Sequence, residues 1–192
     1  MIFQNIIIST MLIIMLITLL NLSDRFNYWD HKIETLIDFP HTNVIWKIIA
    51  FIYDPKIIIV AVVLLATMAL QDNDWKLATW LLMNIGLSDG IGYGLKKVVH
   101  RPRPEDHSQL DGGYSFPSGH ILSSTTFTLL LLHLHDSFSI YSIVLIAGWV
   151  LLIVSRVTLS AHYPSDAIGA ILVSFLSYNL SLYIIDIISI YL

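Results

Sequence analysis

The chain has 192 residues, of which 56% are hydrophobic and 12% charged, with a formal net charge of -4 and a mean hydropathy of +0.74. That balance excludes a disordered chain, fits poorly with a water-soluble domain and gives no sign of nucleic-acid binding, so the chain reads as an integral membrane protein. It contains no cysteine, which excludes disulfides and thiolate metal sites or nucleophiles and leaves the redox compartment undecided.

Residues 1–22 carry no charged side chain, and a bilayer span needs about 20 apolar residues. The segment lacks a basic leading region and an Ala-x-Ala-like cleavage site, so it reads as a retained helix and not a signal peptide. A wetter region, 23–54, follows with two short amphipathic helices. Asp30 is expected to cap one that presents Ile33, Leu36 and Ile37 and ends at Pro40. Thr42 is expected to cap another carrying Val44, Ile45, Ile48, Ile49 and Ile52. Both are placed on the membrane surface beside Trp29 and Trp46, packing on the bundle, with guidance of a lipid as the functional alternative.

Asp54-Pro55 reads as a cap and first-turn proline opening a span over about 56–70, which Gln71-Asp72-Asn73-Asp74 closes. The third span covers about 75–99. Within it Gly86, Gly90 and Gly94 recur every four residues as a small-residue ridge that would let another helix approach. Asp89 should face the protein interior and pair with something, and Lys96 lies two turns onward on the same face. A structural ion pair and support for a phosphate site are both open.

A polar loop over 100–116 leads to spans of about 118–134, 139–159 and 164–192. The expected fold is therefore an all-α integral membrane bundle of about six transmembrane helices, with short interfacial helices between the first two. With no internal repeat and no low-complexity tract, residues 1–192 read as a single membrane-embedded domain. His133, His135 and Asp136 cluster at the far end of the fourth span; their spacing permits a metal site, but a solvated turn is the simpler reading. With both termini on one side, the regions 23–54, 100–116 and 155–166 share the opposite face and can build one site.

The chemistry lies in three stretches. In the first, Lys96 precedes Arg101-Pro102-Arg103-Pro104, where each proline holds the preceding arginine extended and guanidinium forks match phosphate oxygens. A juxtamembrane basic patch against anionic headgroups is the alternative. In the second, Phe116-Pro117-Ser118-Gly119-His120 starts a helix whose free N–H groups and positive dipole end suit an anion. Ser118 as a simple N-cap would explain the serine but not the histidine.

In the third, Ser155-Arg156 and His162-Tyr163-Pro164-Ser165-Asp166 put charge between two apolar segments, where it is costly. Pro164 suits a first helical position, which sets Asp166 in the first turn with His162 just outside. The carboxylate can accept a proton from one imidazole nitrogen and leave the other free to act. Together these residues could hold one anion between two histidines, one attacking phosphorus and the other protonating the departing oxygen. The residues alone do not choose which histidine attacks.

Lys96-x6-Arg103-Pro104, Pro117-Ser118-Gly119-His120 and Ser155-Arg156-x5-His162-x3-Asp166 resemble, in order and without departure, the three-part signature of the type 2 phosphatidic acid phosphatase (PAP2) superfamily. The hydropathy resembles its membrane-embedded bacterial lipid phosphatase branch; the region before Asp54 matches only in general character. The resemblance implies that His162 is the nucleophile forming a phosphohistidine, Asp166 its orienting partner and His120 the acid for the leaving group. It implies phosphate binding by Lys96, Arg103, Ser118, Gly119 and Arg156, with no metal or other cofactor. The implied reaction is hydrolysis of a terminal phosphate on a membrane lipid, such as phosphatidate, phosphatidylglycerophosphate or undecaprenyl diphosphate.

Resemblance to bacterial relatives also implies a site on the extracytoplasmic face of the cell membrane. Charge points the other way, since only Lys76 among the ten Lys and Arg residues falls opposite the site. A non-hydrolytic lipid or anion binder or transporter is the alternative from another class, to which Asp89 would be suited. A vanadate-dependent oxidase shares the pocket resemblance but not the multi-span setting. Oligomeric state is not legible.

Overall fold

The structure, a computed structural model, describes residues 1–37, 44–104, 113–135 and 139–191, with side chains described through residue 188. Among the described residues there are eight helices and no strands: α1 (Ile2–Leu22), α2 (Asp24–Leu36), α3 (Val44–Ile52), α4 (Pro55–Gln71), α5 (Trp75–Val99), α6 (Gly119–Leu134), α7 (Ile140–Thr158) and α8 (Pro164–Tyr191). The all-helical membrane bundle expected from hydropathy is the fold found.

Among the described residues, four segments are able by length and composition to cross a membrane: α1, the stretch 44–71 that contains α3 and α4, α7, and most of α8. The other two long helices fall short for different reasons. α6 is apolar but has only 16 residues, while α5 carries Lys76, Asp89, Lys96 and Lys97 along its 25. α6 is largely buried, whereas α5 keeps one face outward along Leu82, Gly90 and Tyr93. α5 packs on α4, α6 and α8, and α8 is the central helix, touching α1, α2, α5 and α6.

Local chemistry sets the boundaries. Asp54 Oδ1 accepts from the Lys56 amide at 2.9 Å with Pro55 in the first turn. Asp74 caps α5 by accepting from the Leu77 amide at 3.0 Å, and α5 ends where His100 takes a left-handed φ of 50°. Pro164 opens α8 as its ring predicts. One apolar cluster, around Val62, Trp80, Leu81 and Leu130, fills the end of the bundle away from the three signature stretches. Two more, around Ile121, Ala170 and Val173 and around Leu16, Leu20 and Phe116, lie beneath those stretches.

Several expectations need correction. The Gly86, Gly90 and Gly94 ridge receives no helix, because a Cβ at any of the three would meet nothing within 4 Å. The close approaches are made at Gly92, where a Cβ would strike Leu122, at Gly148, where it would strike Tyr53, and at Gly169, where it would strike the buried Phe116 ring. Asp30 does not cap a helix. Ser23 does, its Oγ accepting from the Phe26 amide at 3.2 Å, and Asp30 lies well inside α2.

The buried face of α2 is acidic, with Asp30 and Glu34 each 5% exposed, whereas Ile33 and Leu36 are 43% and 76% exposed. On α3, Val44, Ile45, Ile48 and Ile52 are likewise turned outward. That helix is tied to α7 by the Ser155 hydroxyl, which donates to the Trp46 carbonyl at 2.9 Å. Where the surroundings are hydrocarbon, apolar faces turn out and polar faces turn in. Pro40, Thr42 and Asp136 lie outside the described residues. His133 is exposed, resting 4.5 Å from the Trp80 ring and hydrogen-bonded with the Tyr178 hydroxyl at 2.7 Å.

Candidate active site

The last turn of α5 delivers Lys96, whose Nζ donates to the Tyr114 carbonyl at 2.7 Å. Beyond it Arg103 crosses to two other segments, donating from Nε to the Gly113 carbonyl at 3.1 Å and from Nη1 to the Ala161 carbonyl at 3.3 Å. The last turn of α7 supplies Arg156, which is buried. Gly119 and His120 open α6, and a Cβ at Gly119 would point into open space.

Ser118 occupies the N-cap position of α6 without a side-chain cap bond, and its buried Oγ has no hydrogen-bond partner among the described residues. The simple-cap alternative is thus not what the structure contains. The Ser118 amide instead donates to the Asp166 carbonyl at 3.3 Å, joining the second signature stretch to the third.

These elements surround a cavity of about 330 Å³ lined by Lys96, Arg103, Gly119, His120, Arg156 and His162, with Asp54, Pro55 and Lys56 from the start of α4. Three segments distant in the chain therefore meet at one end of the bundle. Asp54 and Lys56 line the cavity although neither belongs to the three motif stretches. Asp54 Oδ2 stands 3.8 Å from His120 Nε2, and its role as a helix cap masked this second contact.

His162 and Asp166 lie at the back of the cavity. His162 Nδ1 is 3.5 Å from Asp166 Oδ2 and makes no hydrogen bond of ordinary geometry in this resting state. Asp166 Oδ2 accepts from the Tyr163 amide at 2.9 Å, and Oδ1 accepts from Arg101 at 2.8 Å. Burial lowers the His162 imidazole from 6.5 to about 4, against the opposing pull of Asp166 and with the help of Arg156 and Arg103. The ring is therefore neutral near pH 7. With Nδ1 turned to the carboxylate, Nε2 keeps its lone pair for the cavity.

Arg101 does not share the fate of Arg103. It turns away from the cavity and is clamped between Asp30 and Asp166. Asp89 and Lys96, expected on one face, pair with different groups: Asp89 accepts from the Ser123 hydroxyl at 3.4 Å and Lys96 serves the Tyr114 carbonyl. Among the described residues no three His, Asp or Glu side chains gather as metal ligands.

A model of the PAP2 superfamily matches residues 77–188. Phosphatidylglycerophosphatase B of Haemophilus influenzae is 38% identical over 77 residues, which is 36% of this chain and 32% of that protein. The match thus spans about a third of that relative's length. A crystal structure described as the first transmembrane PAP2 type phosphatidylglycerolphosphate phosphatase, from Bacillus subtilis, aligns with a TM-score of 0.77 and 21% identity over 96% of this chain and 97% of that one. LpxE of Aquifex aeolicus aligns with a TM-score of 0.62 and 20% identity over 79% and 93% of the two chains. At such identities the two structures speak for the fold.

Proposed function

This chain belongs to the PAP2 superfamily, and from that premise we propose that it is a metal-independent membrane phosphatase that removes the terminal phosphate of a lipid through a phosphohistidine. The observation that carries the reading is the gathering of His120 and His162 around one cavity with Lys96, Arg103 and Arg156. Three cations offset a phosphate dianion and the charge that builds up as it is transferred.

In the proposed cycle the Nε2 lone pair of neutral His162 attacks phosphorus while the bond from phosphorus to the lipid oxygen breaks. Protonated His120 gives its proton to that oxygen, and the lipid product leaves. Water then gives a proton to His120 and attacks phosphorus. The N–P bond breaks with its electrons returning to His162, and inorganic phosphate departs. Lys96, Arg103, Arg156, Ser118 and the Gly119 amide hold the phosphoryl oxygens throughout, and Asp166 stabilises the positive imidazole formed on attack.

A lipid substrate is supported by the outward apolar face of α3, which ends just before Asp54, Pro55 and Lys56 at the cavity rim. Phosphatidylglycerophosphate is the leading candidate, because the names of the Haemophilus and Bacillus relatives both specify it. Phosphatidate and undecaprenyl diphosphate complete the panel. We assign residues 1–192 to one phosphatase domain in the cell membrane with its site facing outward, against the pull of Arg25, Lys32, Lys47 and Lys56 on that side.

The test is phosphate release from these lipids by purified protein in bilayers, with and without EDTA. Wild-type turnover that survives the chelator, together with acid-labile phosphate trapped on His162 and lost in His162→Ala, is the expected result. Full activity in folded His162→Ala would overturn the reading.

A further inference from the structure

α2 lies outside the segment matched by the family model, 77–188, yet its Asp30 and Glu34 make hydrogen bonds on both sides of His162. Asp30 Oδ2 accepts from Arg101 Nη2 at 2.6 Å, and Arg101 Nη1 donates in turn to Asp166 Oδ1 at 2.8 Å. The Ser165 amide donates to Asp30 Oδ1 at 3.0 Å and the Ser165 hydroxyl to Asp30 Oδ2. The Arg101 guanidinium carbon lies over the Tyr163 ring, 4.0 Å from its centroid. One turn along α2, Glu34 accepts from the Ser160 hydroxyl at 2.7 Å. Ser160 has a φ of 47°, a left-handed conformation that a serine adopts only when its surroundings require it.

His162 thus sits between two residues, 160 and 165, that are both pinned to α2. From this we infer that Asp30, acting through Arg101, is a positioning residue for Asp166 and His162, so that α2 is part of the catalytic apparatus and not merely an interfacial helix. The inference rests on the phosphatase reading above.

Arg101 serves two carboxylates. While Asp30 takes one side of the guanidinium, Asp166 keeps enough negative charge to hold the proton on His162 Nδ1 and leave Nε2 bare. Without Asp30, Arg101 is free to shift fully onto Asp166 and neutralise it. The loop also loses its anchor at Ser165. Lys96 and Arg156 sit in the last turns of α5 and α7, and Arg103, although it also bonds the Ala161 carbonyl of this loop, is held as well by the Gly113 carbonyl, so the grip on phosphate should be largely kept.

The experiment compares wild type, Asp30→Asn, Asp30→Glu and Ser165→Ala in nanodiscs, measuring kcat and KM on phosphatidylglycerophosphate and inhibition by inorganic phosphate. The ¹⁵N shifts of the His162 ring at pH 7 report its tautomer without substrate. Asp30→Asn should lower kcat by about tenfold or more, with KM and phosphate inhibition within about twofold of wild type. Its His162 should lose the pure Nδ1–H signature, and Asp30→Glu should recover most of the rate.

An unchanged kcat and tautomer in Asp30→Asn would overturn the inference, as would a loss of rate matched by an equal loss of phosphate binding. Should Asp30→Asn not fold, Ser165→Ala decides: about a threefold loss in kcat at constant KM supports the inference, and wild-type kinetics overturn it. If wild type releases no phosphate from any lipid, the phosphatase reading fails. The tautomer comparison then stands alone, a change on loss of Asp30 supporting the positioning role and no change overturning it.

Discussion

His162 and Asp166 meet at 3.5 Å from Nδ1 to Oδ2, both side chains closed to solvent. Three residues of the chain lie between them, the first being on the loop and the second in the opening turn of α8. The helix start fixes the carboxylate, while the loop presents the ring to it. Because Asp166 also accepts from Arg101 and from the Tyr163 amide, it cannot swing to shorten the contact without giving up bonds made in the resting state. A long contact at rest can tighten when the ring acquires positive charge, which is when its stabilisation is needed.

Asp166→Asn should therefore reduce kcat by about 10²-fold or more, by analogy with the cost of removing the orienting carboxylate from other catalytic histidines. KM should change much less, because Asp166 does not line the cavity. Steady-state kinetics on the same lipid used for wild type check this. A parallel rise in KM would mean that the carboxylate supports binding and not chemistry.

The buried neutral imidazole has a consequence for stability. In the unfolded chain His162 takes a proton near 6.5, in the folded protein only near 4. Between those values the unfolded state binds more protons, so acid favours unfolding and stability falls as pH drops through that window. The full difference corresponds to roughly 3 kcal/mol, fully present above 6.5 and lost by about 4. Thermal unfolding in detergent at pH 7 and pH 4.5 should show a smaller loss in His162→Gln than in wild type. Equal losses would place the acid sensitivity elsewhere.

The three cations assigned to the phosphate should act on affinity as well as rate. Replacing Lys96, Arg103 or Arg156 with alanine removes a charge-assisted contact worth about 1.5–3 kcal/mol. Each variant should therefore weaken inhibition by inorganic phosphate by roughly 10- to 100-fold. Arg101→Ala provides the contrast, since Arg101 points to Asp30 and Asp166 and not to the cavity. It should lower kcat while leaving phosphate inhibition close to wild type. A uniform effect across all four would show that charge alone, and not placement, governs binding.

Charged side chains within or beside apolar segments made the site legible in the sequence. Lys96, Arg103, His120, Arg156, His162 and Asp166 have few structural reasons to be there, and the six gather as the motif order implies, five lining the cavity and Asp166 set behind His162. The acidic face of α2 was not legible, because the amphipathic rule takes water as the outer solvent. Beside a bilayer the outer solvent is hydrocarbon, so Ile33 and Leu36 turn out while Asp30 and Glu34 turn in. Arg101 and Arg103 differ by two positions, and the spacing from Lys96 already singles out Arg103 for phosphate. What the sequence did not show is that Arg101 braces Asp30 and Asp166.

Glycine spacing misled for a related reason, and it offers a test of the packing. Gly90 and Gly92 are two residues apart on α5, about 200° around the helix, so they look in nearly opposite directions. Gly90 faces outward with nothing near its missing Cβ, whereas Gly169 on α8 lies directly against the Phe116 ring. Phe116 is fully buried and cannot retreat without disturbing the Leu16 and Leu20 cluster around it. Gly169→Ala should therefore destabilise the protein by about 1–3 kcal/mol through overpacking. It should also impair activity, since Phe116 lies two residues before Ser118. Gly90→Ala should be neutral or stabilise by about 0.5–1 kcal/mol, as expected where glycine is replaced within a helix. Thermal midpoints of the two variants, measured in the same detergent, test the assignment of which of the two glycines is packed. A destabilised Gly90→Ala beside an unaffected Gly169→Ala would reverse it.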